Sequence, residues 1–172
     1  RELPFCIHTR YSTQQAILED IVASLYAQGM RKLIILSGHG GNNFKGMIRD
    51  LAFVYPDFLI IAADWFSIVP PKDYFEAVVD DHAGESETSV MMHYHPELVN
   101  LAEAGDGESQ PFAIPSLNEK VGWAPRHWDK ATVDSGVGNP KKASAEKGER
   151  YMKPVVEKLA KLFTEVGLGS LY

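Results

Sequence analysis

The sequence contains a single cysteine, no excess of positive charge and no long apolar run. Cys6 alone rules out an internal disulfide framework and fits a reducing compartment. Acidic residues outnumber lysine and arginine by 23 to 17, which gives a net charge of −6 and argues against a nucleic-acid partner. The apolar runs are far shorter than a membrane span and no secretory or transit pattern is present, so we expect a cytoplasmic protein without a membrane partner.

The length and apolar content are those of one globular domain. The chain has 172 residues, of which 45% are hydrophobic, and this is enough to build a substantial core. We therefore expect a single domain over residues 1–172. Because the chain begins with Arg1 rather than Met, we also expect it to be a fragment of a longer protein.

Helical and strand-like segments alternate along the first part of the chain. A helical pattern with an N-cap at Ser12 or Thr13 and an end near Gly29 precedes an apolar run at 33–36. A second helical segment, 44–53, precedes another apolar run at 58–63. Runs that are apolar throughout are typical of strands covered on both faces, so this order predicts an α/β fold with a parallel sheet covered by helices.

The second half of the chain is less regular. A helix is predicted over 87–94, and a closing helix over 144–163 contains Pro154, where we expect a kink or a split. Between them, residues 105–140 are rich in Gly, Pro, Ser and Asn and predict a long ordered loop with a strand or two. Loops of this length inside compact domains usually serve function or an interface, and this one carries Trp123 and Trp128.

A glycine-rich loop that carries His39 follows the first apolar run. Gly38, Gly40 and Gly41 allow backbone angles that other residues avoid and let a ligand approach the main chain closely. In open α/β sheets, ligands bind at the carboxyl ends of the strands, which is where this loop is expected. The pattern therefore favours a functional role for His39 over a structural or merely exposed histidine.

A second candidate site surrounds His82 with acidic residues, namely Asp80, Asp81, Glu85 and Glu87. One interpretation is a solvated loop ahead of a helix, because carboxylates are favoured at helix N-termini. The other is a metal or acid–base site, because carboxylates bind divalent cations and make a neighbouring histidine more basic. Nitrogen and oxygen ligands together suit Zn²⁺, Mn²⁺ or Fe²⁺.

Nucleotide binding and covalent catalysis are both disfavoured by the motifs. The glycine loop lacks the GxxxxGK[ST] pattern of a phosphate-binding loop and any GxGxxG followed by an acidic residue. Ser37 does not stand in a GxSxG frame, and Cys6 has no recognisable catalytic neighbourhood.

Two motifs resemble those of the creatininase (creatinine amidohydrolase) family of metal-dependent amidohydrolases. The first is SGHGGN at 37–42, and the second is HAGESETS at 82–89, which is similar to the family's HAGxxETS signature. A third, weaker match is ASAEKGE at 143–149. The resemblance implies a three-layer αβα sandwich with a mainly parallel sheet, of which this chain would form the C-terminal two-thirds, without the N-terminal strands.

The resemblance also implies roles for individual residues. His39 would be a metal ligand and His82 the general acid/base that serves the leaving nitrogen. Glu87 would be either a metal ligand or the group that orients His82 and the attacking water. Trp65 and Trp123 would wall the substrate pocket.

Gly40 and Gly41, which we expect to lie at the substrate, depart from creatininase proper. There the two positions hold Tyr and Glu, and the Glu binds a metal. One ligand must therefore be replaced here, and Glu87 is the expected replacement. The Gly-Gly version looks like family branches that deformylate formamidopyrimidine-type intermediates or trim a peptide precursor.

The resemblance implies two divalent metals per complete site, a small-molecule amide substrate with a cyclic or formamide-type C–N bond, and a homo-oligomer, often a hexamer. Family members supply most metal ligands from an earlier segment with a Glu-x-His pair and an Asp, and this chain begins after it. A non-catalytic binding or interaction module is therefore the second functional class. The hydrolase interpretation requires the loops carrying His39 and His82 with Glu87 to meet at one rim.

Overall fold

The computed structural model describes residues 3–4, 6–170 and 172, which fall into two units. Unit 1 comprises the described residues of 1–7 together with Pro70–Lys153, and unit 2 comprises His8–Val69 together with Pro154–Tyr172 without residue 171. Whether the two units form the single domain expected over 1–172 depends on how they are arranged, so that expectation stays a prediction.

Ten helices and strands are used below, and short 3₁₀ turns connect several of them. In chain order they are α1 (Tyr11–Ala27), β1 (Lys32–Ser37), α2 (Lys45–Val54), β2 (Leu59–Asp64), β3 (Asp80–His82), α3 (Glu85–Tyr94), α4 (Pro115–Asn118), α5 (Trp128–Ala131), β4 (Val137–Gly138) and α6 (Ala145–Leu168). Among the described residues, no helix combines the length and the apolar character that a membrane crossing needs.

Unit 2 has the predicted order of helix, strand, helix and strand. β1 and β2 pair in parallel, with Lys32 opposite Leu59 and Ser37 opposite Asp64, so their carboxyl ends lie at one sheet edge. The predicted helix end is confirmed, because α1 stops at Ala27 and Gly29 follows with a φ of 87°. The predicted N-cap at Ser12 or Thr13 is wrong, since α1 already begins at Tyr11.

The core of unit 2 joins its helices to its sheet. Side chains four residues apart on α1 and on α2 face the sheet, as expected for amphipathic helices. They pack with residues at the start of β2, and the buried members are Leu18, Val22, Met47, Leu51, Phe58 and Ile60. This packing fixes the edge from which the His39 loop emerges.

Unit 1 holds the second candidate site on a short antiparallel strand pair. β3 pairs with β4, and the pairing places His82 opposite Val137 with an irregular register between Asp80 and His82. The sequence pattern predicts a loop at 80–82, and the structure has the strand β3 there instead. β4 agrees with the strand or two expected within 105–140. Tyr151 of α6 is buried, and the rings of Tyr74 and Phe75 lie 5.5 and 5.1 Å from its ring.

α6 is continuous from Ala145 to Leu168, so the alternative of a split at Pro154 is wrong. A proline within a helix removes one backbone hydrogen bond and does not by itself end the helix when both sides are well formed. The boundary between the two units falls immediately before this proline.

Candidate active site

The loop that carries His39 leaves the carboxyl end of β1, as predicted. Its turn is closed by two donors to the His39 carbonyl oxygen, the Asn42 amide at 3.1 Å and the Ser37 hydroxyl at 3.2 Å. The imidazole is exposed, and its Nδ1 accepts a hydrogen bond from the Gly41 amide at 2.9 Å. An accepting Nδ1 carries no proton, so in the neutral ring the proton lies on Nε2.

This hydrogen bond decides what His39 must do to bind a metal. A metal needs a nitrogen lone pair, and the lone pair at Nδ1 is taken by the Gly41 amide. Coordination through Nε2 moves the proton to Nδ1, which also breaks the bond. A Cβ on Gly41 would lie only 3.0 Å from Nδ1, so the absent side chain is what permits this arrangement.

Trp65 lies beside the same loop. It follows β2, whose end is level with the end of β1, and its indole Nε1 donates to the Gly38 carbonyl at 3.4 Å. The neighbouring Phe66 ring approaches Gly40, with 3.7 Å between the ring edge and the position of a Cβ there. The structure thus brings His39, Gly40, Gly41 and Trp65 together in unit 2, and their roles toward a substrate stay predictions.

The second site is the tight connection between β3 and α3 in unit 1. Ala83, directly after His82, has a φ of 49°, a left-handed conformation that costs a non-glycine residue energy. Its amide donates to Glu87 Oε2 at 2.7 Å, and its carbonyl accepts from the Thr88 hydroxyl at 3.2 Å. Glu87 therefore uses one carboxylate oxygen to hold the turn and keeps the other for further partners.

Asp80 caps the start of α3. Its two carboxylate oxygens accept from the Ser86 amide at 3.0 and 3.3 Å, and a Cβ on Gly84 would collide with it. Burial raises the pKa of Asp80, and the charges of Glu85 and Glu87 raise it further, while the hydrogen bonds from Ser86 act in the opposite direction. Asp80, Glu85 and Glu87 are therefore close enough to interact electrostatically.

Glu85 is a structural anchor. It is fully buried, and its Oε2 accepts from the amides of Glu76 and Ala77 at 2.9 and 2.8 Å. Its Oε1 pairs with Lys147 Nζ at 2.5 Å. With both oxygens engaged inside the protein, Glu85 has no place as a metal ligand, and that part of the acidic-cluster interpretation is wrong for it.

The third sequence motif is explained by the same contact. Lys147 comes from the ASAEKGE segment and also pairs with Glu76 at 3.0 Å. Next to it, Gly148 lets α6 approach α3, because a Cβ there would lie 2.1 Å from the Ser89 carbonyl oxygen. This segment therefore holds the start of α3 in place and contributes no reactive group.

Sequence reasoning did not place Trp128, which lies against His82, or Arg126, which contacts Trp128, at this site. The Trp128 ring meets the imidazole edge to face, with centroids 5.0 Å apart. The Arg126 guanidinium stacks over Trp128 at 4.8 Å and pairs with Asp81 at 2.7 Å. The clustering of Arg126 and Trp128 in a loop was the available signal, but the sequence does not say which element they contact.

A cavity of about 370 Å³ opens beside Glu87 in unit 1. Its wall is mostly apolar, with contributions from Met91, Leu98 and Leu101, and Asn100 and Asp134 add polar groups. A volume of this size accommodates a small organic molecule. Trp123, predicted as a pocket wall, does not line it and is 86% exposed.

The roles of His39 and Glu87 as metal ligands stay predictions. Among the described residues, no three His, Cys, Asp or Glu side chains converge in a way that would hold a metal ion. His39 offers one nitrogen and Glu87 one carboxylate, and a tight site needs more ligands than these. His39 belongs to unit 2 and Glu87 to unit 1, so the expected common rim stays a prediction.

The sequence matches the family model for creatininase, described as creatinine amidohydrolase, over residues 1–163. This chain belongs to the creatininase family. The resemblance inferred from the two motifs is thereby confirmed, and so is the α/β fold class with a parallel strand pair.

Individual relatives show how much of a family member the chain represents. It is 32% identical over 131 residues to the mycofactocin precursor peptide peptidase of Mycobacterium ulcerans (strain Agy99), covering 73% of this chain and 45% of that protein. A crystal structure from Bacteroides fragilis NCTC 9343, described as a candidate creatinine amidohydrolase, is 83% identical with a TM-score of 0.97 and covers 100% of this chain and 68% of that chain. The chain thus spans about half the length of the mycobacterial relative.

A mutant creatininase of the Zn–Zn type has the same fold. It is 22% identical, superposes with a TM-score of 0.74, and the match covers 95% of this chain and 67% of that one.

Proposed function

We propose that the protein is a divalent-metal-dependent amidohydrolase that cleaves the C–N bond of a small, non-peptide amide. The observation that carries the proposal is the β3–α3 connection. There His82 is the last residue of β3, and the Glu87 carboxylate accepts a hydrogen bond from the amide of Ala83, four residues earlier in the chain. Membership of the creatininase family and the cavity beside Glu87 support it.

Each residue of the chain has a distinct task in this proposal. His82 donates a proton to the departing nitrogen, a role for which imidazole is suited near neutral pH. Glu87 offers its second carboxylate oxygen to a metal or to the attacking water while the first keeps the turn closed. Gly40 and Gly41 of the loop that carries His39 border the substrate, together with Trp65 directly after β2.

Two divalent metals per complete site, Zn, Mn or Fe, are part of the proposal, and the zinc of the structurally similar creatininase supports it. When bound, such metals lower the pKa of a coordinated water and polarise the amide carbonyl. Among the described residues, His39 and Glu87 would be metal ligands, and other residues would complete the coordination.

The test separates proton transfer from metal binding. With creatinine, a cyclic imide, an aryl formamide and a short peptide as substrates, we expect His82→Ala to abolish turnover at a normal metal content. His39→Ala is expected to lower metal occupancy, measured by elemental analysis. The matched control is His93→Ala, because His93 lies on α3 against Tyr94 and has no assigned role. Unchanged turnover in His82→Ala would refute the assignment of the proton donor.

Trimming of a peptide precursor is the second candidate function. It is favoured by the likeness to the mycobacterial peptidase and by the Gly40–Gly41 pair, which resembles the peptide-trimming branch of the family. Cleavage of the peptide substrate, without turnover of creatinine or the formamide, would favour this function over the first.

We further propose a homo-oligomer, a hexamer by family likeness, in the cytoplasm. Large apolar side chains that are strongly exposed in unit 1 support an interface, and they are Val78, Val121, Trp123 and Val133. Light scattering on the purified protein measures the assembly, and a monomer at micromolar concentration would contradict the proposal.

A further inference from the structure

His82 and three other residues, Asp81, Arg126 and Trp128, form a closed ring of contacts. Asp81 and His82 are neighbours on β3, Trp128 meets the His82 ring, and Arg126 links Trp128 back to Asp81. Every link is short: 5.0 Å between ring centroids, 4.8 Å from guanidinium to indole and 2.7 Å in the ion pair. All four residues belong to unit 1, so the ring is complete within one unit.

The backbone on both sides of His82 departs from regular strand geometry, so the strand alone does not fix the orientation of the His82 side chain. The β3–β4 register is irregular between Asp80 and His82, and Ala83 has a left-handed φ. Irregular strand ends next to active sites redirect side chains. An imidazole side chain has two rotatable bonds, and a T-shaped aromatic neighbour favours one orientation of its ring.

Arg126 has two features that suit it to hold Trp128. Its guanidinium is planar, so it stacks on the indole face while its edge binds the Asp81 carboxylate. A lysine in its place would keep the charge and lose the flat stack. The arginine therefore contacts Trp128 of α5 through its face and Asp81 of β3 through an ion pair, and so links the two elements.

We propose that Trp128 and Arg126 are positioning residues for His82, a role that rests on the proposed function of His82 as proton donor. Trp128 fixes the plane of the imidazole, and Arg126, tied to Asp81, fixes Trp128. Neither touches the reacting atoms. The irregular segment 119–127 thereby gains a function, because it delivers Arg126 to the strand that carries the proton donor.

The first experiment reads the geometry without a substrate. In ¹H–¹³C spectra of the protein, the His82 ring protons are assigned by their absence in His82→Gln. We expect Trp128→Ala to shift these resonances more than those of any other histidine, because the indole ring current is lost, and Trp128→Phe to shift them less. The matched control is Tyr94→Ala, which removes the ring whose centroid lies 4.5 Å from that of His93. It should shift the His93 resonances and leave the His82 resonances unchanged.

The second experiment reads the consequence for catalysis on whichever of creatinine, the cyclic imide, the formamide or the peptide is turned over. We expect Trp128→Ala to lower kcat by about tenfold to a hundredfold, the cost of misplacing a reacting group by about an ångström, with KM within about twofold. Arg126→Gln should lower kcat less than Trp128→Ala, and Arg126→Lys should lie between Arg126→Gln and the wild type.

The outcomes separate this proposal from the proposed function. If no amide is turned over, the function fails, and the spectra alone decide whether Trp128 orients His82. If Trp128→Ala leaves the His82 resonances in place, or lowers kcat no more than Tyr94→Ala, the positioning role is overturned. Trp128→Phe and Arg126→Gln provide the same readouts should Trp128→Ala fail to fold.

Discussion

Breaking the buried ion pair between Glu85 and Lys147 is expected to destabilise the protein strongly. Glu85 has no exposed surface, and in Lys147→Met it keeps two amide donors and loses its counter-charge. Removing one partner of a buried pair costs about 3–5 kcal/mol, and we expect the lower end of this range because the two amides remain. In Glu85→Gln the amide group still accepts from both donors, so the expected loss is that of a charged hydrogen bond, about 1.5–3 kcal/mol.

The assay is urea denaturation followed by circular dichroism, with the free energy of unfolding obtained by linear extrapolation. Glu76→Gln is the matched control, since Glu76 binds the same lysine at 3.0 Å from an exposed position, and exposed ion pairs contribute little. The double variant Glu85→Gln/Lys147→Met should lose less free energy of unfolding than the sum of the two single losses, because both single variants remove the same interaction. If Lys147→Met costs no more than Glu76→Gln, the argument for a buried anchor is refuted.

Three further predictions concern pH, metal and packing. The lysine partners lower the pKa of Glu76 from 4.5 to about 2, so its contribution to stability is full above pH 4.5 and is lost as the pH falls toward 2; acid titration of Glu76→Gln should lack this component. Zn²⁺ binding at His39 should shift the Gly41 amide resonance, because either ring nitrogen can bind only after the hydrogen bond at 2.9 Å breaks, and an unmoved resonance in a zinc-loaded protein would contradict this. Gly148→Ala should lose about 1–3 kcal/mol in thermal or urea unfolding through overpacking against α3, whereas Gly167→Ala, with open space at its Cβ, should not.

The elements of unit 2 were predictable because their signals are local. The apolar runs before Ser37 and before Asp64, and the glycine after α1, encode strands and a helix end within a few residues of themselves. Their parallel pairing then follows from the alternation of helix and strand. The glycine loop with His39 was predictable for the same reason, since it only had to follow a buried strand.

The features that were missed depend on partners far away in the chain. Glu85 looks like any acidic residue at a helix start, and its burial is possible only because Lys147, 62 positions later, supplies a counter-charge. The strand at β3 contains two acidic residues and a histidine, and it exists because β4 supplies hydrogen-bond partners. Trp128 is similar, because its contact with His82 is set by how a long irregular segment folds.

The turn after His82 contains a backbone amide, that of Ala83, whose hydrogen exchange depends on what is bound to Glu87. The amide of the strained Ala83 donates to Glu87 Oε2 at 2.7 Å, so what binds to that carboxylate and the protection of this amide proton are linked. Any ligand that draws the carboxylate away exposes this proton to solvent. Hydrogen exchange at the Ala83 amide therefore reports whether a ligand has bound to Glu87, in the absence of any turnover.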